Sequence, residues 1–144
     1  MKTDETIHAV VVASIRRKSM DMDQWEHTRL WDAGEPSVKS ELLEISALDA
    51  NELPILYSYI DAQNWTLVTT RRVLYSLNGK SDFVFAQDII QDDLGNFKGY
   101  GRQKVERMQL FLKDWSSHSC PFETGKASMG TIYAVQTLCN ITEP

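Results

Sequence analysis

The stretch Asn64-Trp65-Thr66-Leu67-Val68-Thr69-Thr70-Arg71-Arg72-Val73-Leu74-Tyr75-Ser76-Leu77 decides how this chain is read. Trp65, Leu67 and Thr69 alternate with Thr66, Val68 and Thr70. Beyond a Thr-Thr-Arg-Arg corner, Val73, Tyr75 and Leu77 alternate with Leu74 and Ser76. A period of two marks half-buried antiparallel strands, because successive side chains of a strand point to opposite faces. The expectation is two adjacent strands with Trp65 and Leu67 facing the core.

Working outward, residues 53–60 read as a preceding strand, joined through the tight connection 61–64, and Asn78-Gly79 supplies a turn after Leu77. Phe83-Val84-Phe85 gives a fourth strand, Ile89-Ile90 a short fifth, and 93–96 a turn. Residues 105–113 give a longer strand with Met108, Leu110 and Leu112 on one face, and 120–123 the last. Residues 126–141 then switch to helical spacing, with Ile132, Val135, Leu138 and Cys139 on a broad apolar face and Thr124 as the expected N-cap. Towards the N-terminus, Ile7, Val10, Val11 and Ile15 favour a helix over 6–18, although Val10-Val11-Val12 leaves a strand open. Residues 19–34 show no clean period and read as irregular. Pro36 suits the first turn of a second helix, 37–48, with Val38, Leu42, Ile45 and Leu48 on one face and an end near Asn51.

The chain has 144 residues, 42% of them hydrophobic, which is enough for one sizeable core and too few for two ordinary domains. A single domain, 1–144, is expected. Fifteen basic against twenty acidic side chains give a net charge of −5, which disfavours nucleic acid or an anionic membrane as the main partner. Residues 1–50 hold 6 basic and 10 acidic side chains, so the acidity is concentrated there. No signal-peptide pattern or membrane-length apolar run is visible, and the two cysteines are too few for a disulfide framework, so a cytoplasmic setting is expected.

About seven antiparallel strands closed by a C-terminal amphipathic helix resemble the pleckstrin-homology-like fold, particularly bacterial pleckstrin-homology-like and GRAM-type domains. A Thr-x-x-Arg corner between strands recurs there, and residues 67–74 look like it. The resemblance covers 53–141 and implies an α+β fold, a curved sheet or partly open barrel plugged by the last helix. The first 50 residues would be an added helical layer. It also invites an inositol-phosphate site, but the first strand-to-strand loop, 61–64, holds an Asp and no basic residue. Arg71 and Arg72 form the one compact basic corner, a weak anion-site candidate. Pairing with Asp61 or Asp82 is the favoured alternative.

No catalytic or metal constellation stands out, and neither metal nor cofactor is expected. Thr124-Gly125-Lys126-Ala127-Ser128 lacks the earlier glycine and the hydroxyl after lysine of a phosphate loop, and Gly95, Gly99 and Gly101 form no dinucleotide fingerprint. His118 and Cys120 share one face of an extended segment, yet a buried structural cysteine explains Cys120 more simply. What remains is an acidic, aromatic N-terminal third. Asp21, Asp23, Trp25, Glu26, Trp31 and Asp32 are its candidate protein-binding residues, weighed against packing of the same side chains over the sheet. The expectation is a non-enzymatic protein-binding module with a basic protein as partner. By class analogy it is an acidic inhibitor such as an immunity protein neutralising a basic toxin. A membrane or lipid-head-group sensor and an enzyme without recognisable motif are the alternatives.

Overall fold

The computed structural model describes residues 2–99 and 103–142; Gly101, named above, lies outside them. Helix α1, Asp4–Lys18, forms because Ile7, Val11, Ser14 and Ile15 recur at helical spacing and are all buried. Thr3 caps it by accepting from Thr6 N at 3.2 Å. Acidic Asp4 and Glu5 in the first turn and basic Arg16, Arg17 and Lys18 in the last complement the helix dipole. These local signals settle the valine run as helix.

Strand β1, Thr28–Leu30, lies inside the segment expected to be irregular, between two short 3₁₀ turns at Met22–Gln24 and Trp31–Ala33. It is only three residues long and owes its conformation to distant partners. It pairs with strand β2, Pro54–Asp61, and the buried Glu123 carboxylate accepts from the amides of Glu26 (3.0 Å) and His27 (2.9 Å) and from Thr28 Oγ1 (2.8 Å). Helix α2, Pro36–Ser46, starts at proline as expected but stops at Ala47, which takes the left-handed conformation at φ 48°. Leu42 is its buried anchor, whereas Ile45 is 48% exposed. Ser46 turns inward instead and donates to Leu42 O.

Strands β2, β3 (Asn64–Thr69), β4 (Arg72–Leu77) and β5 (Lys80–Phe85) form an antiparallel meander, which with β1 makes a five-stranded sheet in the order β1-β2-β3-β4-β5. A second sheet, β6-β7-β8, is built from Ile89–Asp93, Val105–Leu112 and Ser117–Glu123. Among the described residues the expected curved sheet or partly open barrel is two sheets with no closed barrel; the seven strands expected over 53–141 are β2 to β8, and β1 adds an eighth from the N-terminal third. The break falls at the 3₁₀ turn Ala86–Asp88, after which β6 pairs with β7 rather than β5.

Strand β8 crosses the first sheet transversely. Along it, Glu123 N donates to Ser58 Oγ of β2 (3.0 Å), Pro121 O accepts from Thr66 Oγ1 of β3 (2.6 Å), and His118 Nδ1 meets Tyr75 Oη of β4 at 2.7 Å. Successive residues of one strand meeting successive strands of another sheet is the geometry of crossed sheet packing. Helix α3, Ser128–Thr142, packs on α1, with Ser14 Oγ and Thr137 Oγ1 2.8 Å apart, and buries Ile132, Val135 and Leu138 as expected. Thr124 does not cap it. A 3₁₀ turn at Gly125–Ala127 intervenes, and Thr124 Oγ1 donates to Gln103 O at 2.6 Å.

Strand β3 is buried on both faces, not one, because the first sheet is the middle layer. On one side lie β8, α1 and α3 with Val68, Val73 and Val84. On the other, α2 seats Leu42 on Tyr57, Trp65, Leu67 and Leu74. The strand register aligns Arg29, Tyr57, Leu67, Leu74 and Phe83 as one row across this second face. Among the described residues, no helix is long and apolar enough to cross a membrane.

Candidate functional site

The middle-layer architecture creates a groove of about 190 Å³ where β1, β2 and the start of α2 meet. It is floored by Tyr57, Tyr59 and Ile60 and rimmed by Glu26 and Glu35. The period-2 pattern of β2 puts both tyrosines on the α2 face, and the pairing of Arg29 with Tyr57 carries the β1 rim there as well. Tyr57 Oη accepts from Glu35 N at 2.9 Å, which fixes the entry to α2, and burial raises the tyrosine's pKa. Trp31 packs edge-to-face on the same ring, centroids 6.2 Å apart. Burial first, and then the Glu41 and Asp61 carboxylates, push Tyr59 up to about 12, so both phenols stay neutral at physiological pH.

The charge around the groove is predominantly negative. Glu26 and Glu35 rim it, and Glu41 and Asp61 lie close enough to perturb Tyr59, against Lys39, whose ammonium stands 5.8 Å over the Trp31 ring, and Arg29. That guanidinium is already engaged: Nη1 donates to the backbone carbonyls of Trp25 and of Thr28, the latter at 2.7 Å. A neutral aromatic floor under an acidic rim suits a cationic side chain of a partner.

The six N-terminal candidates divide. Glu26 stands on the rim of the groove, Trp31 buttresses its floor, and Asp32 is exposed in the adjoining Trp31–Ala33 turn. Asp23 is exposed in the preceding turn, and Asp21 is held by Lys126 Nζ at 2.5 Å. Trp25 is a correction. Only 3% exposed, it lies in the main core against α3, where a Cβ on Gly130 would come within 2.7 Å of its ring. The packing alternative holds for this tryptophan, which cannot anchor a partner. Tyr57 and Tyr59 were not singled out from sequence. The signal was there in two tyrosines two positions apart on one strand, but the α2 face could not be identified as accessible.

The basic corner also differs from expectation in its partners. Arg71 reaches Asp4 at the start of α1 (Nη2 to Oδ2, 3.0 Å; Nε to Oδ1, 3.1 Å) and Asp49 at 3.4 Å. Arg72 is buried and bidentate on buried Glu52, at 2.8 and 3.0 Å, with Phe83 stacked over its guanidinium at 4.7 Å. Asp61 instead caps its own hairpin by accepting from Gln63 N at 2.8 Å, and Asp82 lies 3.7 Å from His118. Both arginines are thus occupied by carboxylates.

Cys120 is fully buried, and burial pushes its thiol well above the usual range, away from the thiolate that nucleophilic chemistry needs. Among the described residues no group of three or more His, Cys, Asp or Glu side chains converges as metal ligands would. Comparison with protein-family models, curated proteins and solved structures finds no match to this chain.

Proposed function

We propose that this chain is a non-enzymatic protein-binding module that receives a basic partner at the groove between β1, β2 and α2. Its role would be that of an acidic inhibitor, such as an immunity protein neutralising a basic toxin. The observation that carries the reading is the excess of carboxylates, Glu26 and Glu35 with Glu41 and Asp61, around the Tyr57–Tyr59 floor. Opposed charge speeds encounter and selects the partner, while half-buried Tyr59, the accessible tyrosine of a floor in which Tyr57 is buried, supplies the aromatic contact. The four-stranded meander crossed by a three-stranded sheet and followed by a C-terminal helix supports a pleckstrin-homology-like reading of 53–141. Occupied Arg71 and Arg72 weaken its lipid-binding version.

Cross-linked capture from the native host tests the proposal, using wild type and the double variant Glu26→Lys, Glu35→Lys, whose substituted side chains are both exposed. Flotation on phosphoinositide vesicles runs in parallel. The expected result is a basic protein retained by wild type and lost by the variant, with no flotation. Equal retention by both, or saturable flotation of wild type, would overturn the reading.

A further inference from the structure

A second depression, wider than the tyrosine-floored groove, lies elsewhere. An open groove of about 680 Å³ runs between β6 and the C-terminal half of α3, in the size range of sites that hold ligands. One wall is a strand edge. Strand β6 is outermost in its sheet, pairing with β7 and, among the described residues, with no strand on its other side, so its outward amides and carbonyls have no ladder partner there. A bulge between Ile89 and Gln91 leaves Ile90 unmatched in the register, and its side chain is 54% exposed beside the groove.

The polar lining is uncommitted. Gln87, Gln91, Gln136, Asn140, Lys113 and Asp92 line the groove, and none of their side chains hydrogen-bonds or ion-pairs with another described residue. Carboxamides donate and accept at once, which is the chemistry of a peptide backbone. The two charges are spaced along the edge. Lys113 N donates to Asp88 O at 2.9 Å, placing Lys113 at the start of β6, and Asp92 stands four residues on, about 13 Å along an extended chain.

We propose that this groove takes an extended segment of a partner polypeptide as an added strand on β6. Backbone hydrogen bonds supply the affinity, Gln136 and Asn140 of α3, across the groove from β6, hold the far edge of the added strand, and Ile90 meets an apolar side chain. Lys113 and Asp92 set the direction by pairing with an acidic and a basic side chain spaced four residues apart on the incoming segment.

The probe is a pair of ten-residue peptides of alternating Thr and Val, one carrying Glu then Arg four positions apart and the other carrying Arg then Glu. Each is also made with alternate backbone nitrogens methylated, and all are tested against the full chain by fluorescence polarisation and amide hydrogen exchange. One order is expected to bind, to slow exchange at Ile89–Asp93 at least about tenfold, and to lose binding about tenfold in Lys113→Glu and in Ile90→Asp. The methylated forms are expected not to bind. Failure of both orders to slow exchange at Ile89–Asp93, equal binding of the methylated peptides, or binding unchanged in both surface variants would overturn the proposal.

Discussion

Glu52 and Arg72 show how much one buried pair can decide. The two side chains are 0% and 10% exposed, and Glu52 also accepts from Thr69 Oγ1 at 2.5 Å and Asp49 N at 3.1 Å, so no lone pair is stranded. Burial by itself would raise the Glu52 pKa. The hydrogen bonds from Arg72 and Thr69 outweigh it and hold the carboxyl below the ordinary glutamate value. Removing Arg72 leaves a buried carboxylate without its counter-charge, so Arg72→Ala should cost about 3–5 kcal/mol in urea unfolding, while Glu52→Leu with Arg72→Met should be close to neutral. The pH dependence has a definite sign. A folded-state pKa below the unfolded one gives stability that is complete above the unfolded value and lost as pH falls through the folded one. The wild-type urea midpoint should therefore fall more steeply between about pH 5 and about pH 2 than that of the double apolar variant; parallel curves would show that the pair contributes nothing to acid stability. None of this was legible in the sequence. Glu52 looks like any acid before a strand, and what makes it different is an arginine 20 residues away. Trp25 and Trp31 likewise have similar surroundings in sequence, and what makes Trp25 core is distant, a buried cluster in which Gly130 of α3 leaves room for its ring.

At the scale of elements, helices and meander strands were legible because their signals are local. The alternation around Arg71-Arg72, the Asn78-Gly79 turn and the spacing of Ile132, Val135 and Leu138 each report a conformation that neighbouring residues enforce. Since Leu138 is fully buried between α3 and the sheet, Leu138→Ala should lower stability by about 2–4 kcal/mol, read as a shift in the denaturant midpoint. An unchanged midpoint would mean that α3 is not docked through this residue. The elements that escaped are those imposed from a distance. Strand β1 exists because Glu123, 95 residues on, ties down its entry. Thr124 fails as a cap because Gln103 O claims its hydroxyl, and Ile45 stays in solvent because α2 meets the sheet along the line of Leu42 and Ser46. An apolar spacing shows that a helix has an inward face, but the width of that face is set by what lies beneath it.

Across the whole molecule, the acidity seen in residues 1–50 does not spread evenly. Asp4 and Asp49 are drawn into the Arg71 corner and Asp21 into a pair with Lys126, which leaves Glu26 and Glu35 at the mouth of the tyrosine-floored groove. Sequence located the charge, and the fold selected which carboxylates remain available, a choice that depends on how α1, α2 and β1 pack around one sheet. The same layering leaves β6 as an outer edge, so the proposed basic-partner site and the proposed strand-addition site are lined by different residues and can be tested separately. The central claim is that electrostatic attraction at the Glu26–Glu35 groove brings a basic protein to this chain. The most direct measurement is the association rate with the captured partner, followed by stopped flow from about 20 mM to about 500 mM salt for wild type and for Glu26→Lys, Glu35→Lys. Steering across a Debye length that shrinks with salt should make the wild-type rate fall at least about tenfold over that range, with a lower and flatter curve for the variant. A wild-type rate insensitive to salt, or superimposable curves for the two proteins, would contradict the claim.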